Sequence, residues 1–382
     1  MSRRAEIVGW GMYAPEQVLT NDDLAAFVDT SDDWIRTRTG IERRHVAEEH
    51  ETTAQMSVEA SRAALEMADA NPLEIDLIIV GTATPDHSFP ATACQVQNGL
   101  GAVHAGAFDL NAGCSGFVYA LTIGEQAITS GANDLVLVIG ADTMSRVMNW
   151  QDRSTCVLFG DGAGAVLLRA SKGPTGIVST LLGSDGSGGD LLHIPAGGSA
   201  QPTSQETVEK GLHTLQMNGH QVFRFAVRMM PRAVREVAEK AGIGMEDIDL
   251  ILPHQANLRI VDTAARRLDL QLDNFFVNLQ EYGNTSAASI PMALCEAMEK
   301  GKIKPGQNIV LVGFGAGLTW AAALIKWGTT VEEVAAPFYH TWRRWVVYRW
   351  AAINTAIRRF QQGVVVKLIH LAERINEKLG RD

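Results

Sequence analysis

The 382-residue sequence is poor in cysteine and in positive charge, and each shortage excludes some classes of site or partner. Its four cysteines are widely spaced, form no CxxC pair and lie beside no histidine cluster. Neither a disulfide framework nor a metal site is therefore expected. The net charge of −10 argues against nucleic acid as the main partner, because phosphate backbones are bound by basic surfaces.

Long apolar runs are also missing. The apolar run Ile309–Ile325 has 17 residues, no charge and three glycines, whereas a membrane-spanning helix needs about 20 predominantly apolar residues. This run is predicted to fold as strand, turn and strand in a buried sheet. The first residues contain no signal-peptide core and lead directly into a strand-like segment, Ile7–Gly9. We therefore expect a cytoplasmic location.

The sequence does contain an internal repeat. Residues 75–79 (IDLII) recur as residues 248–252 (IDLIL), 173 positions later, and residues 134–138 (DLVLV) are echoed by residues 308–312 (NIVLV), 174 positions later. These near-equal offsets indicate one α/β unit used twice. Apolar strands alternate with helical stretches in each unit, as in parallel sheets covered by helices on both faces. The predicted halves are residues 1–172 and 173–329.

Three polar residues stand where such a fold performs chemistry. Cys114 follows a predicted strand and opens a helix, whose N-terminal N–H groups and dipole are expected to stabilise a thiolate. His254 follows a repeated strand, and ligands bind at strand C-termini in α/β sheets. Asn284 follows a glycine and opens a helix, so we align it with Cys114 in the other half. Buried thiol, core histidine and helix N-cap are the ordinary roles of these residue types, but their corresponding positions favour one converging site.

Around these residues the sequence resembles the β-ketoacyl-acyl carrier protein synthases III of the thiolase superfamily, over about residues 3–327. The resemblance rests on the segments around the three residues and on four supporting blocks: Asn111–Phe117, Pro253–Arg259, Tyr282–Ser289, Thr30–Ile35, Arg38–Ile41, Phe159–Ala165 and Gly313–Trp320. It implies an α/β, thiolase-like fold of two duplicated halves in a layered αβαβα arrangement.

The resemblance assigns catalysis to Cys114, His254 and Asn284, with the backbone N–H groups of Cys114 and Ala316 as oxyanion donors. An asparagine donates hydrogen bonds but cannot abstract a proton, so the enolate must arise by loss of CO₂ from a malonyl thioester. The implied reaction is a decarboxylating Claisen condensation. An acyl-CoA primer acylates Cys114 and malonyl-acyl carrier protein then extends it, which initiates fatty acid synthesis.

Further site residues are implied by the same resemblance. Those for CoA are Trp34, Arg38, Arg153, Gly219, Phe223 and Asn257. Those for the carrier protein are Gln255, Ala256, Asn257, Leu258 and Arg259. Phe89 matches a residue that closes the acyl pocket of the neighbouring subunit, so a homodimer is expected. The expected partners are CoA thioesters, acyl carrier protein and a second copy of the chain, with no cofactor, metal or nucleic acid.

Two other functions are open on the sequence alone. A specialised condensing enzyme of secondary metabolism, or of long-chain lipid synthesis, could keep the same three residues. A catalytically silent scaffold for carrier protein could keep the fold, but the intact Cys114, His254 and Asn284 argue against it.

Residues 330–382 lie beyond the part of the chain that resembles the family, and their sequence pattern is different. Between Phe338 and Leu371 there are six basic residues and no acid. Apolar residues recur at steps of three and four, which predicts one face of an amphipathic helix. They are Trp342, Val346, Trp350, Ile353, Ile357, Phe360, Val364, Leu368, Leu371 and Ile375. Such a face fits a membrane interface over residues 338–375; alternatively it packs on the enzyme's own body or on its twin in a dimer.

Overall fold

The structure, a computed structural model, describes residues 3–329 and, near the C-terminus, residues 345–350, 353–354, 357 and 360–361. The strands are, in chain order, β1 Arg4–Tyr13, β2 Val18–Thr20, β3 Arg43–His45, β4 Leu77–Gly81, β5 Gly106–Leu110, β6 Leu135–Thr143, β7 Asp161–Ser171, β8 Gly176–Ser184, β9 Leu192–His193, β10 Gln216–Met217, β11 Leu250–Pro253, β12 Asn308–Gly315 and β13 Thr319–Lys326. The α-helices are α1 Asn21–Ala25, α2 Asp32–Thr39, α3 Thr53–Met67, α4 Thr92–Leu100, α5 Gly116–Thr129, α6 Arg153–Cys156, α7 Gln205–Glu209, α8 Gly219–Ala241, α9 Leu258–Leu268, α10 Leu279–Tyr282 and α11 Ser289–Glu299.

Two larger sheets repeat one topology. The first has the order β1-β7-β6-β4-β5 and the second has the order β8-β13-β12-β11. Strand β4 runs parallel to β6 as β11 does to β12, and β6 is antiparallel to β7 as β12 is to β13. Where the first sheet has β5, the second has a parallel bridge between Ile251 and Phe275. The predicted duplication is confirmed, and the run predicted as strand, turn and strand is β12 and β13.

Strand register gives the offset between the two halves. Leu77 lies opposite Val136 in the first sheet and Leu250 lies opposite Ile309 in the second, so both strands are displaced by 173 residues. The offset of 174 predicted for the second pair of repeated strands is therefore wrong by one. Such a slip turns every side chain to the other face of a sheet. Val136 and Ile309 in fact share a face, since both join the apolar cluster between the two sheets.

Strand β6 illustrates why the sheets are covered on both sides. All nine of its residues are buried, and its side chains alternate between two apolar clusters. Val136 and Val138 pack with α5 and α11 between the sheets, while Leu137 and Ile139 pack with α3 and α4 on the outer side. A strand buried on both faces needs this continuous run of aliphatic residues.

The layers follow in the order α3 and α4, first sheet, α5 and α11, second sheet, α8 and α9. This is the predicted αβαβα arrangement, which is confirmed. The last strand of the first sheet ends at Ser171 and the first strand of the second sheet begins at Gly176. The chain therefore crosses from one half to the other within a short turn.

A helix beyond the second half rests on the outer layer of the first. Residues 345–350, 353–354, 357 and 360–361 are helical, and the rest of the extension predicted over 330–382 lies outside the described residues. Tyr348 packs against the cluster under α3, with the Arg62 guanidinium carbon 5.0 Å from its ring centre. The described members of the apolar face are 36% to 74% exposed: Val346, Trp350, Ile353, Ile357 and Phe360. Packing of these residues on the enzyme's own body, one of the alternatives, is contradicted.

Candidate active site

Cys114 lies between the two sheets, at the start of the central helix of the first half. Strand β5 is followed by a 3₁₀ turn, Gly113–Ser115, that leads directly into α5. Cys114 is buried, with 6% of the residue exposed. Ser286, from the second half, donates a hydrogen bond from Oγ to the Cys114 sulfur over 3.4 Å. The predicted nucleophile therefore contacts the segment that carries Asn284.

Burial dominates the acidity of this thiol. Removal from water raises the pKa of Cys114 to about 12; the hydrogen bond from Ser286 acts against this rise and the charge of Asp142 adds to it. Burial of the sulfur therefore opposes the predicted stabilisation of a thiolate at this helix start. The helix dipole and one hydrogen bond offset only part of the cost of burying an anion.

Asn284 lies in the loop after α10 and is held by backbone pairing with the first half. Its N–H donates to the Leu158 carbonyl over 2.8 Å, and its carbonyl accepts from the Gly160 N–H over 3.0 Å. In the side chain, Oδ1 accepts a hydrogen bond from the Ser286 N–H at 2.9 Å. Because a backbone N–H only donates, this bond identifies the amide oxygen. The Nδ2 donor has no partner within residues 3–329 and is available to a ligand.

The two halves align differently from the sequence prediction. The offset of 173 pairs Asn284 with Asn111, three residues before Cys114. Both Asn side chains accept from the N–H two residues later, over 3.2 Å from Gly113 and 2.9 Å from Ser286. Gly113 and Ser286 also share a left-handed backbone, with φ of +54° and +51°. The predicted equivalence of Asn284 and Cys114 is wrong, although both residues reach the same site.

His254 directly follows β11. Its N–H donates to the Val312 carbonyl at 2.8 Å and continues the pairing of β11 with β12. Nδ1 shares a hydrogen bond of 2.6 Å with Ser289 Oγ, and the ring packs edge-on against Phe314 with 5.1 Å between centres. Burial lowers the pKa of His254 to about 3, because it disfavours the charged imidazolium. The neutral imidazole can donate one hydrogen bond and accept one.

One segment of the second half brings the three predicted residues together. It begins at Asn284, contacts Cys114 through Ser286, and contacts His254 through Ser289 at the start of α11. Sequence reasoning missed Ser286 and Ser289 as site residues. A serine next to the start of a helix does not indicate which distant residue it contacts. The contacts of Ser286 and Ser289 form only when parts of the chain far apart in sequence come together in the fold.

Asp142, near the end of β6, anchors that segment. Its buried carboxylate accepts from the Ala287 N–H at 3.0 Å through Oδ2. Oδ1 accepts from the N–H groups of Ala83 and Thr84 and from the hydroxyls of Thr82 and Thr84, at 2.8–3.1 Å. These hydrogen bonds give the Asp142 carboxylate a structural role. In the described parts of the chain, no group of three or more His, Cys, Asp or Glu side chains could hold a metal ion.

The backbone around Cys114 lies against the last residue of β12 and the loop that follows it. A Cβ on Gly315 would lie 2.5 Å from the Cys114 nitrogen, and one on Gly113 would lie 2.9 Å from the Ala316 nitrogen. Both distances are shorter than real Cβ contacts, so glycine is required at these two close approaches. The two N–H groups predicted as oxyanion donors therefore belong to backbone segments in direct contact.

Three predicted CoA residues form a cationic cluster at the surface. Arg38 and Arg153 each place the guanidinium carbon 4.9 Å from the centre of the Trp34 ring. Arg153 is held by a hydrogen bond of 2.7 Å to the Asp29 carbonyl. Guanidinium groups beside an indole can pair with phosphates while the ring stacks on a base.

The other predicted CoA residues lie where α8 and α9 begin. Asn257 caps α9, because Oδ1 accepts from the Arg259 N–H at 2.9 Å while Nδ2 donates to the Arg38 carbonyl at 3.1 Å. The Arg259 guanidinium carbon lies 5.7 Å from the centre of the Phe223 ring. Gly219 opens α8 beside free space, since a Cβ there would approach no atom more closely than 3.7 Å. Asn257 thus links the cationic cluster to the predicted carrier-protein segment.

That segment, Gln255–Arg259, is only partly at the surface. Gln255 is 1% exposed, and its amide is bonded to two backbone carbonyls and one backbone N–H. Its burial contradicts the prediction that Gln255 contacts a docked protein. Ala256, Asn257 and Leu258 are half-buried and Arg259 is exposed.

Phe89 lies in the loop between β4 and α4 and is 86% exposed. The described residues of its own chain do not bury this ring. The role of Phe89 in the acyl pocket of a neighbouring subunit, which the resemblance implies, stays a prediction.

Known sequences match both halves of this site. One family profile, 3-oxoacyl-[acyl-carrier-protein] synthase III, matches residues 108–186, and the profile of its C-terminal part matches residues 238–327. A β-ketoacyl-[acyl-carrier-protein] synthase III from Caldanaerobacter subterraneus subsp. tengcongensis is 54% identical over 323 residues, which are 85% of this chain and 98% of that protein.

Solved structures agree with the sequence matches. The 3-oxoacyl-[acyl-carrier-protein] synthase III of Aquifex aeolicus has 47% identity and a TM-score of 0.79, and the match covers 85% of this chain and all of that one. The priming β-ketosynthase of the R1128 polyketide pathway has 38% identity and a TM-score of 0.79, over 86% and 98% of the two chains. With Cys114, His254 and Asn284 inside the matched regions, the chain belongs to the 3-oxoacyl-[acyl-carrier-protein] synthase III family.

Proposed function

We propose that this chain catalyses the condensation that initiates fatty acid synthesis, joining an acyl-CoA primer to malonyl-acyl carrier protein. The observation that carries the proposal is a thiol, an amide and a neutral imidazole arranged around one segment of the second half. This set supplies a nucleophile and hydrogen-bond donors but no carboxylate free to act as a base. It suits a reaction in which the carbanion arises by loss of CO₂.

Cys114 is the nucleophile of the first step. Its sulfur attacks the carbonyl carbon of acyl-CoA, the bond from that carbon to the CoA sulfur breaks, and CoA leaves as a thiol with the proton of Cys114. The N–H groups of Cys114 and Ala316 donate to the oxyanion of the tetrahedral intermediate. The thiol starts protonated, so its proton leaves as the new bond forms.

His254 and Asn284 act in the second step. The imidazole N–H and Asn284 Nδ2 donate to the thioester oxygen of malonyl-carrier protein. The bond to the malonyl carboxylate breaks, CO₂ leaves, and the electron pair forms an enolate stabilised by these donors. The carbanion attacks the acyl carbon on Cys114, and the released thiolate takes a proton from water.

Separate measurement of the two steps tests this proposal. Cys114→Ala should abolish condensation and leave slow decarboxylation of malonyl-carrier protein, since His254 and Asn284 remain. Asn284→Ala and His254→Ala should still acylate Cys114, seen as a mass increase of the intact protein, but lose decarboxylation. Condensation at the native rate by Asn284→Ala would contradict the role assigned to its amide.

The substrate sites follow from the exposed cations. In a chain of net charge −10, Arg38 and Arg153 beside Trp34 are suited to the phosphates and adenine of CoA, and Arg259 to an acidic carrier protein. Arg153→Ala should raise KM for acyl-CoA alone, and Arg259→Glu should raise KM for malonyl-carrier protein alone. Equal effects of both variants on both substrates would contradict this division.

A homodimer is supported by the open edge of the first sheet. Strand β5 is the last strand at that edge, and large apolar side chains near it are exposed: Phe89 at 86%, Val103 at 48% and Phe108 at 38%. Such an edge favours pairing with another chain. Light scattering should give a dimer mass, and Val103→Asp should produce monomer, whereas Val208→Asp at another exposed valine should not. A monomeric native protein would contradict the dimer.

A specialised condensing enzyme is the second candidate, supported by the likeness to the R1128 priming β-ketosynthase. It would use the same three residues with another primer. Screening acyl-CoA primers with malonyl-carrier protein separates the two functions. Preference for acetyl-CoA supports fatty acid initiation, and preference for long or unusual acyl groups supports the specialised enzyme.

We also propose a cytoplasmic enzyme that contacts a membrane peripherally through residues 338–375. All four cysteines are free thiols, as in reducing compartments. No helix among the described residues has the length and apolar character to cross a membrane. The exposed apolar face with Trp350 at its centre instead resembles helices that lie in the membrane interface.

The way this helix is attached supports that contact. Tyr348, which rests on Arg62, is two positions from Trp350 and therefore lies on the opposite side of the helix. Contact through Tyr348 turns the apolar face outward. The six basic residues and absence of acids between Phe338 and Leu371 favour an anionic lipid surface.

Liposome flotation tests the membrane contact. The full chain should float with anionic vesicles at low salt and not with neutral ones, and deletion of residues 331–382 should abolish binding while condensation continues. Trp350→Ser with Ile353→Ser should weaken binding, whereas the matched change Asn354→Ser should not. Absent flotation, or flotation unaffected by the deletion, would contradict the proposal.

A further inference from the structure

Ser289 is a buried hydroxyl that the reaction described above does not use. It is the first residue of α11, is 1% exposed, and its Oγ lies 2.6 Å from His254 Nδ1. Within residues 3–329, this is the one hydrogen bond made by the Ser289 hydroxyl and by the His254 imidazole. Which partner donates therefore decides what the imidazole offers to a substrate.

The two possible arrangements are not equivalent. If Nδ1 carries the proton, it donates to Ser289, the hydroxyl hydrogen lacks an acceptor in a buried site, and Nε2 can only accept. If Nε2 carries the proton, the hydroxyl donates to Nδ1, and the one donor left without a partner among the described residues is Nε2–H, whose nitrogen is not fully buried. Leaving a buried donor unpaired is the costlier choice, so the second arrangement is favoured.

We propose that Ser289 is a positioning residue that holds His254 in the tautomer with hydrogen on Nε2. This inference rests on the proposed function, in which the imidazole must donate to the thioester oxygen of the malonyl substrate. Ser286 acts in parallel on Asn284, because its N–H occupies Oδ1 and leaves Nδ2 as the donor. The segment from Asn284 to Ser289 thus turns the donor sides of both catalytic groups toward the substrate.

The tautomer matters because protonation cannot replace it. Burial lowers the pKa of His254 to about 3, so a second N–H is not gained at working pH. The neighbouring Phe314 ring packs edge-on against the imidazole and offers no polar group to select a tautomer. The hydroxyl of Ser289 is the polar group in place to do so.

Kinetics of Ser289→Ala provide the first test, since this change removes only the hydroxyl. The kcat for decarboxylation of malonyl-carrier protein should fall roughly 10- to 100-fold, as for other residues that orient a histidine, with KM and the rate of Cys114 acylation unchanged. Ser289→Thr keeps the hydroxyl and should restore most of the rate. The matched control is Ser61→Ala, at a buried serine of α3 whose hydroxyl donates to the Ser57 carbonyl over 2.6 Å.

Nitrogen NMR of ¹⁵N-histidine protein gives a readout that packing alone would not move. In the native protein the His254 signals, assigned by their loss in His254→Ala, should show a protonated Nε2 and an unprotonated Nδ1. In Ser289→Ala the two tautomers should mix and the two shifts should converge. A native Nδ1–H tautomer, an unchanged tautomer in Ser289→Ala, or a native kcat in that variant would overturn the proposal. Failure of the proposed function is distinguishable, because His254→Ala would then condense at the native rate.

Discussion

The two loops that open the central helices, residues 111–116 and 284–289, share a backbone and differ in side chains. In each, an Asn oxygen accepts the N–H two residues later, the next residues form a 3₁₀ turn whose first residue is left-handed, and an α-helix follows. The residue after the left-handed position is Cys114 in the first loop and Ala287 in the second. The duplication therefore supplies one geometry twice, and the side chains decide which copy attacks and which copy donates hydrogen bonds.

The strand residues that face these loops differ in a related way. The 173-residue offset pairs Asp142 with Gly315. Asp142 accepts the N–H of Ala287, whereas Gly315 has no side chain, and the position a Cβ would take there lies next to the Cys114 nitrogen. In the part of the chain that the structure describes, no other residue accepts the Cys114 N–H. The Ala287 N–H is therefore used for structure, and the equivalent N–H of Cys114 remains available for an oxyanion.

Gly315→Asp would give the second sheet the residue that the first sheet has at the equivalent position, Asp142. Of the changes predicted here it should have the largest effect on activity. The new carboxylate would compete for the Cys114 N–H, and its Cβ would lie 2.5 Å from that nitrogen. Acylation of Cys114 by acyl-CoA should slow on the order of 10²–10³-fold or more, measured by intact mass against time. Gly198→Asp, at a glycine with no atom near its Cβ position, should acylate normally. Native acylation by Gly315→Asp would contradict the comparison.

Replacing the two equivalent asparagines should separate chemistry from structure. Asn284→Ala is expected to lower condensation on the order of 10²–10³-fold, because an enolate donor is lost. Asn111→Ala should lower it by less than about tenfold, because this side chain only holds its turn. Both should lower the free energy of unfolding by about 1 kcal/mol in denaturant titrations. Equal losses of activity would show that Asn284 also acts only on the loop.

Gly113 and Ser286 share a left-handed backbone conformation, and giving each position the other's residue should change the free energy of unfolding by different amounts. Gly113→Ser places a side chain at φ +54° and 2.9 Å from the Ala316 nitrogen, which should cost about 1–3 kcal/mol. Ser286→Gly relieves the same strain while losing the contact with the Cys114 sulfur, so the net change should stay within about 1 kcal/mol. Urea unfolding of both variants checks this order, and similar destabilisation would refute it.

The acidity of Cys114 gives a smaller, pH-dependent effect. Because burial raises the pKa of this thiol to about 12 from an ordinary 9.0, the thiolate fraction should keep rising above pH 9. Alkylation of Cys114 by iodoacetamide, followed by peptide mass spectrometry, should accelerate about tenfold per pH unit through about pH 10. A plateau below pH 9 would instead indicate a thiolate stabilised by the helix N-terminus.

Patterns local to the sequence predicted much of the fold and the three residues of the site. Repeated strands revealed the duplication, and the ends of strands pointed to Cys114 and His254. The predicted register of β12 is wrong by one residue, because a strand of aliphatic residues has the same hydrophobic pattern in either register until its neighbours are known. The effect of burial on the Cys114 thiol could not be predicted for a related reason, since a helix start is local whereas Gly315 and Ser286, which contact Cys114, are distant in sequence.

Roles that depend on contacts between the halves were beyond sequence reasoning. Nothing near Ser289 indicates that its hydroxyl meets a histidine 35 positions away. Gln255 has the composition of a surface residue, yet the fold directs its amide to buried backbone groups. Exposure of the apolar face around Trp350 likewise follows from where Tyr348 attaches, which helical periodicity alone does not specify.

The position of Cys114 at the junction of the two halves has a consequence for protein synthesis. The first half leaves the ribosome with its thiol in place but without Asn284, His254 or the Ala316 loop, all of which lie more than a hundred residues later. Until the second half folds against it, Cys114 lacks the oxyanion donor of Ala316 and the groups that stabilise an enolate. We therefore expect the nascent chain to lack condensing activity until its last sheet has formed.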